Sequence, residues 1–245
     1  MVEAPRLQRR NFPLFEAESL FVWGVKGMNK IAVAMIACAA LASPAAAHPH
    51  VFVEMNTSLA FADDGMIKGV GIIWVFDAAY AEAALDGLDA NGDGTYSDAE
   101  LAPLTTENMI SLKDYDYFAA LRFDGKKQAF GAVTQYKQIW SGGKLALQFF
   151  VPLATPLDPR KGKFAAKVYD PEFFIGIDYA QAEPYHIAGK PPEGCAARLL
   201  PIPTDEELEQ QRAFLATKGK DWKPEEAVDF GEAFAQALVV ECAAS

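Results

Sequence analysis

The densest group of residues with chemical potential is the acidic run Asp89-Ala90-Asn91-Gly92-Asp93-Gly94-Thr95-Tyr96-Ser97-Asp98-Ala99-Glu100. It satisfies every specified position of the pattern D-x-[DN]-x-[DN]-G-x5-E, the signature of an EF-hand calcium loop. A hard cation such as Ca2+ takes roughly six to eight oxygen ligands. Asp89, Asn91 and Asp93 offer side-chain oxygens, Thr95 its carbonyl, Ser97 a hydroxyl or a bridging water, and Glu100 two oxygens at once. Gly94 permits the sharp turn, while Tyr96 stands where an aliphatic residue is usual. The plainer alternative is a solvated acidic turn in which Ser97 and Glu100 form a helix capping box. Calcium sensors pair such loops, and this chain has one, so the expected role is a structural staple.

Histidines form the second group. Of three, His48 and His50 lie within three residues and His186 stands far downstream. If the chain is cleaved after Ala47, His48 carries both an imidazole and a free α-amine, a natural chelating pair. His50 follows two residues on, about 7 Å along an extended strand. Nitrogen donors of this kind favour Cu2+, Ni2+, Co2+ or Zn2+ over Ca2+. Pro49 has no amide hydrogen, so the terminal chelate built on deprotonated backbone amides cannot form fully. His186 is the candidate third ligand, with Glu54 or Asp178 as candidate carboxylates; the alternative is a solvated terminus and a satisfied His186. The third group is the pair Cys195 and Cys242, read as a disulfide of an oxidising compartment. A Cys metal or redox site lacks any C-x-x-C.

These groups need a frame, and the composition supplies one. The 245 residues are 51% hydrophobic, with 33 acidic against 22 basic residues and a net charge of −11. Such a chain is globular, and its negative surface argues against nucleic acid as a partner. Residues 28–47, MNKIAVAMIACAALASPAAA, read as a secretory signal peptide ending in A-x-A, and residues 1–27 as an upstream extension before a true start at Met28. Its apolar run is too short to cross a membrane. A lipoprotein signal acylated at Cys38 is the competing reading. The expected product is a periplasmic protein, not itself membrane-spanning, with residues 48–245 as one domain.

Within that domain Val51 to Phe61 alternates with the period of a half-buried strand, Asp63-Asp64-Gly65 turns the chain, and Met66 to Phe76 returns it. Asp77 caps a short helix, and helical turns interrupted near Pro103 run to Leu112, so that 77–112 forms an EF-hand-like insert. Strands are expected over 117–123, 129–140, 145–153, 164–169, 173–179 and 238–242. A capping box at Thr204 and Glu207 and a start at Pro224 mark two C-terminal helices. The fold class is α+β: a mainly antiparallel β sandwich or meander with an inserted EF-hand-like helix-loop-helix and C-terminal helices. Motifs of conventional enzymes are missing (no G-x-S-x-G, H-E-x-x-H, P-loop or G-x-G-x-x-G), and Asp77, Asp178 and Glu183 are scattered carboxylates, so no enzyme activity is expected.

Together these features resemble a bacterial family of uncharacterised proteins described as the periplasmic component of an ABC-type transport system. The resemblance rests on the signal peptide, the start His48-Pro49-His50-Val51, the loop Asp89 to Gly94, the Asp170-Pro171 corner and the late Cys pair. Such proteins are commonly encoded near nickel/cobalt- or zinc-type permeases, so the resemblance implies metal handling with an inner-membrane permease as partner. The leading expectation is a periplasmic accessory protein that captures a transition-metal ion and carries a structural calcium. The alternatives are a calcium-stabilised interaction module and a copper protein with an N-terminal His, the latter also the route to a redox enzyme.

Overall fold

A computed structural model describes residues 50–202, 204–217 and 231–243. The elements run β1 (Val51–Phe61), β2 (Ile67–Phe76), α1 (Ala78–Leu85), α2 (Asp98–Asp114), β3 (Ala119–Phe123), β4 (Lys126–Lys127), β5 (Tyr136–Ser141), β6 (Lys144–Leu157), β7 (Phe164–Val168), β8 (Ile175–Tyr179), β9 (Tyr185–Ala188), β10 (Cys195–Leu199), α3 (Asp205–Ala216), α4 (Gly231–Phe234) and β11 (Ala237–Cys242). The strands form two open sheets, one of six strands in the order β5-β6-β2-β1-β8 with β9 also on β1, the other β10-β11-β7-β3-β4. Neither closes into a barrel.

Alternation builds both sheets. On β1, Val53, Met55, Thr57, Leu59 and Phe61 are buried, while Phe52 and Glu54 between them are exposed. Val70, Ile72, Trp74 and Phe76 of β2 and Leu145, Leu147, Phe149 and Val151 of β6 extend that buried face, and it shares one core with Leu121, Phe164, Ala166, Leu238 and Val240 of the five-stranded sheet. This is the expected α+β class.

Several expectations need correction. Pairing is mainly antiparallel, as expected, but two strands depart from it: β8 lies parallel to β1 over Val51–Met55, and β9 lies parallel to it over Thr57–Ala60. The chain leaves β1 and β2, builds strands in both sheets, and re-enters on the far side of β1, which fixes that direction. Pro103 does not interrupt α2. The helix runs through it, started by the Ser97–Glu100 capping box and anchored by buried Leu101, Met109 and Leu112. Only Tyr136–Ser141 of the expected strand 129–140 forms a strand, apart from a single bridge between Phe130 and Leu153. Tyr117 falls in a 3-10 turn rather than at a strand start. The capping role of the Glu207 side chain, the Pro224 helix start and residues 1–47 lie outside the described residues.

Candidate functional site

The acidic loop hangs between α1 and α2, in a segment fastened at the start of α1 and again at the start of α2. Asp77 caps α1: its Oδ1 accepts from the Tyr80 N–H (2.9 Å) and its Oδ2 from the Phe52 N–H of β1 (2.8 Å). The Asp77 N–H returns to the Phe52 carbonyl. At the other end Lys137 of β5 pairs with Asp98 at 3.0 Å, and Tyr96 meets Trp140 edge-on at 5.3 Å. The tyrosine that departs from the usual aliphatic residue thus anchors the loop to the six-stranded sheet.

Inside the loop the carboxylates curl the backbone around themselves. Asp89 accepts from the N–H groups of Gly92, Asp93 and Gly94. Asp93 Oδ1 accepts from the Thr95 N–H and hydroxyl, both at 2.8 Å. Glu100 clasps the two ends, Oε1 taking the Ala90 N–H and Oε2 the Ser97 N–H and hydroxyl. Gly92 and Gly94 turn with φ of +71° and +74°, where a side chain would be strained. The Thr95 bonds hold the Asp93 carboxyl below the usual carboxylate range, and the Ser97 bonds do the same for Glu100. Both are therefore anionic at neutral pH; Asp93 is exposed and Glu100 half-buried. Asp89, Asn91, Asp93, Thr95, Ser97 and Glu100 accordingly share one loop, with Glu100 serving as the capping-box partner. Among the described residues no three or more His, Cys, Asp or Glu side chains stand together as a ready metal cage.

The histidines are distributed differently. His48 lies outside the described residues. His50 is exposed just ahead of β1, its N–H bonded to the Phe174 carbonyl at 2.8 Å and its ring 4.9 Å from that of Phe174. His186 on β9 pairs with Ser58, eight residues further along β1, a separation on the order of 26 Å at the strand rise. The fold does not bring His186 to His50. Glu54 and Asp178 are register partners on β1 and β8, both exposed, and Glu54 sits about 13 Å from His50 along the strand. Of the scattered carboxylates, Asp77 is the helix cap, and the Glu183 carbonyl holds the Asn56 amide.

Cys195 and Cys242 are joined by a disulfide between register partners of β10 and β11, 47 residues apart in sequence. The Asp170-Pro171 corner has a defined job as well. Asp170 is 5% exposed and accepts from the N–H groups of Glu172, Phe174 and Ile175, each at 2.9 Å, where the chain passes from β7 to β8. Burial pushes its carboxyl upward, and the three N–H donors pull in the opposite direction. No helix among the described residues is long and apolar enough to cross a membrane.

Sequence reasoning missed an aromatic cleft between the six-stranded sheet and α2, walled by Trp74, Phe76, Tyr80, Tyr115, Phe118 and Phe174. The aromatic content of β2 was its one sequence signal, and that content read equally well as core.

Two open sheets around a shared core, with a helix-flanked acidic loop and a histidine just ahead of β1, define an α+β protein. Residues 33–242 match the family described as a protein of unknown function, DUF1007, and the chain belongs to that family. It is also similar to the uncharacterized 15.5 kDa protein in the trpE 3' region of Spirochaeta aurantia, 34% identical over 96 residues, covering 39% of this chain and 68% of that protein.

Proposed function

We propose that this chain is a periplasmic, non-enzymatic metal-binding accessory protein: the loop Asp89–Glu100 holds Ca2+ as a brace, and His48 with His50 captures a Ni2+, Co2+, Zn2+ or Cu2+ ion for an inner-membrane permease. The observation that carries it is the loop, in which oxygen donors alone line a backbone already curled by its own N–H groups. Carboxylates kept anionic, with no imidazole or thiolate among them, suit a hard cation. Bound there, Ca2+ would offset two of the three carboxylate charges of Asp89, Asp93 and Glu100 and tie α1 to α2. The permease partner and the periplasmic setting are supported by the family resemblance, the leader and the disulfide.

Calcium titrated calorimetrically into the chelator-stripped full chain tests the brace. Single-site binding near 10⁻⁴ to 10⁻³ M is expected, with about 1.4 to 2.7 kcal/mol of stabilisation at 10 mM Ca2+, both lost in Asp89→Asn and Glu100→Gln. No heat and no stabilisation in the parent chain would remove the brace. For the second metal, the joint His48→Ala and His50→Ala change should abolish tight binding while His186→Ala leaves it intact, because His186 is remote. The distance of His186 from His50 also favours one other reading, a calcium-stabilised interaction module, and indifference to all four transition metals would select it.

A further inference from the structure

We propose that the outer face of the six-stranded sheet is the surface on which two copies of this chain pair. Alternation gives that sheet two faces, and register says which side chains share each of them. Glu54, Val75, Ala146 and Ile139 stand side by side in one row across β1, β2, β6 and β5, and Asn56, Ile73, Gln148 and Lys137 form the next. Their neighbours along each strand, among them Trp74, Leu147 and Gln138, point the other way and are buried. Ile73, Val75, Ala146, Ile139 and Phe150 are half-buried, yet none belongs to the core that the opposite face shares with α1, α2 and the five-stranded sheet. The face is also flat. Phe150 lies across two glycines of β2: a Cβ on Gly69 would stand 2.9 Å from its ring and one on Gly71 3.9 Å. A flat apolar sheet face is stably covered by another such face at about 10 Å.

Charge and area identify the covering layer as a second copy. Lys137 and Lys144 lie at the β5 side of the face, Glu54 and Asp178 at the β1–β8 side, and all four are exposed. These four charges balance, in a chain whose net charge is −11. A two-fold axis along β2, the middle strand of the path β5-β6-β2-β1-β8, sets β6 against β1 of the partner subunit and β5 against β8 of the partner subunit. Glu54 then faces Ala146 of the partner subunit, with Lys144 of the partner subunit about 7 Å further along the strand. Asp178 meets Lys137 of the partner subunit in the same way; Lys137 already pairs with Asp98 at 3.0 Å, and an ammonium has donors to spare. Ile73 and Val75, on the axis, pack on their own copies. Five strands spaced about 4.8 Å apart, with about eight residues each rising about 3.3 Å, cover roughly 600 Å2 per chain. The pair therefore buries about 1,200 Å2, the size at which stable specific interfaces begin.

The test is sedimentation velocity on the full chain in chelator at micromolar concentrations, which keeps it apart from the metal reading. Twice the chain mass is expected. Ile73→Asp sets two carboxylates against each other at the axis and should return the single-chain mass with circular dichroism unchanged. Glu54→Lys alone and Lys144→Glu alone should each weaken pairing about ten-fold, since each repulsion occurs twice across the axis, and the two changes together should restore it. Restoration cannot come from a chain that merely unfolds, so the charge exchange decides the matter if Ile73→Asp fails to fold. A single-chain mass for the parent, as for a face that serves a different protein, would overturn the proposal. So would a dimer that survives Ile73→Asp, or a charge exchange that fails to restore pairing.

Discussion

Asp77 fastens two elements with one carboxylate, capping α1 through Tyr80 and holding β1 through Phe52. The Phe52 bond is the larger cause of its lowered pKa, which lies below the ordinary 3.8. A depressed carboxyl stabilises the fold above its unfolded pKa and loses that contribution as pH falls through the folded value. Asp77→Ala should therefore cost about 1–2 kcal/mol at neutral pH, measured by urea unfolding, and the gap to the parent should close as pH drops below about 4. Asp170→Asn tests the corner. An amide keeps the shape but turns an NH2 toward backbone N–H donors, so a loss of about 1–3 kcal/mol is expected in the same assay. Both aspartates were visible in the sequence, one as a helix cap and one as an Asp-Pro corner. The Asp77 link to Phe52 was not, since it spans 25 residues and exists only once β1 and α1 are neighbours.

Among the elements, the sequence was most legible where one signal governed. The hairpin β1–β2 follows from strict alternation and Asp-Asp-Gly, and α2 from its capping box and buried Leu101, Met109 and Leu112. Strands β9 and β10 were not foreseen. Their residues are half-buried or exposed at sheet edges, and Tyr185-His186-Ile187-Ala188 and Cys195-Ala-Ala-Arg-Leu199 carry little apolar contrast. Residues 129–135 read as strand, and they follow β6 through the Ala154 N–H to the Ala129 carbonyl, the Gly131 N–H to the Pro152 carbonyl and the Phe150 N–H to the Gln135 carbonyl, yet the one bridge formed there is Phe130 with Leu153. The disulfide that ends the five-stranded sheet followed from the pair left once Cys38 is assigned to the expected signal peptide, and its place explains why it matters: it staples edge strand β10 to β11. Replacing both cysteines by serine should cost up to about 4 kcal/mol by loop entropy. Thermal unfolding would register that loss, and reduction of the parent chain should reproduce it.

For the whole molecule, the outcome turns on long-range placement, which spacing alone cannot reveal. The twelve-residue loop is local, so its residues arrived together as read. The His50 and His186 pairing depended on strand register, and a parallel β9 set against Ser58 separates them. The cleft walled by β2, α2 and the Phe174 corner is likewise a tertiary product. The shared core also sets an alkaline limit. Tyr179 is 7% exposed, its hydroxyl 3.4 Å from that of Thr57, and burial pushes its pKa up to about 12. A raised phenol pKa stabilises the fold fully below about 10, the unfolded value, and that contribution is lost as pH rises through 12. Stability of the parent chain should fall across pH 10 to 12 in urea titrations, and Tyr179→Phe should flatten that limb.

We propose that the secreted chain carries calcium in its loop and a transition metal at its start. Native mass spectrometry of protein recovered from the periplasm without chelator reads the first residue and the bound ions in one spectrum. The expected mass begins at His48 and includes one Ca2+ and one transition-metal ion, the calcium absent from Glu100→Gln and the second metal absent when His48 and His50 are both alanine. A mass that begins elsewhere, or a chain free of both ions after equilibration with millimolar Ca2+ and micromolar Ni2+ or Zn2+, would contradict it.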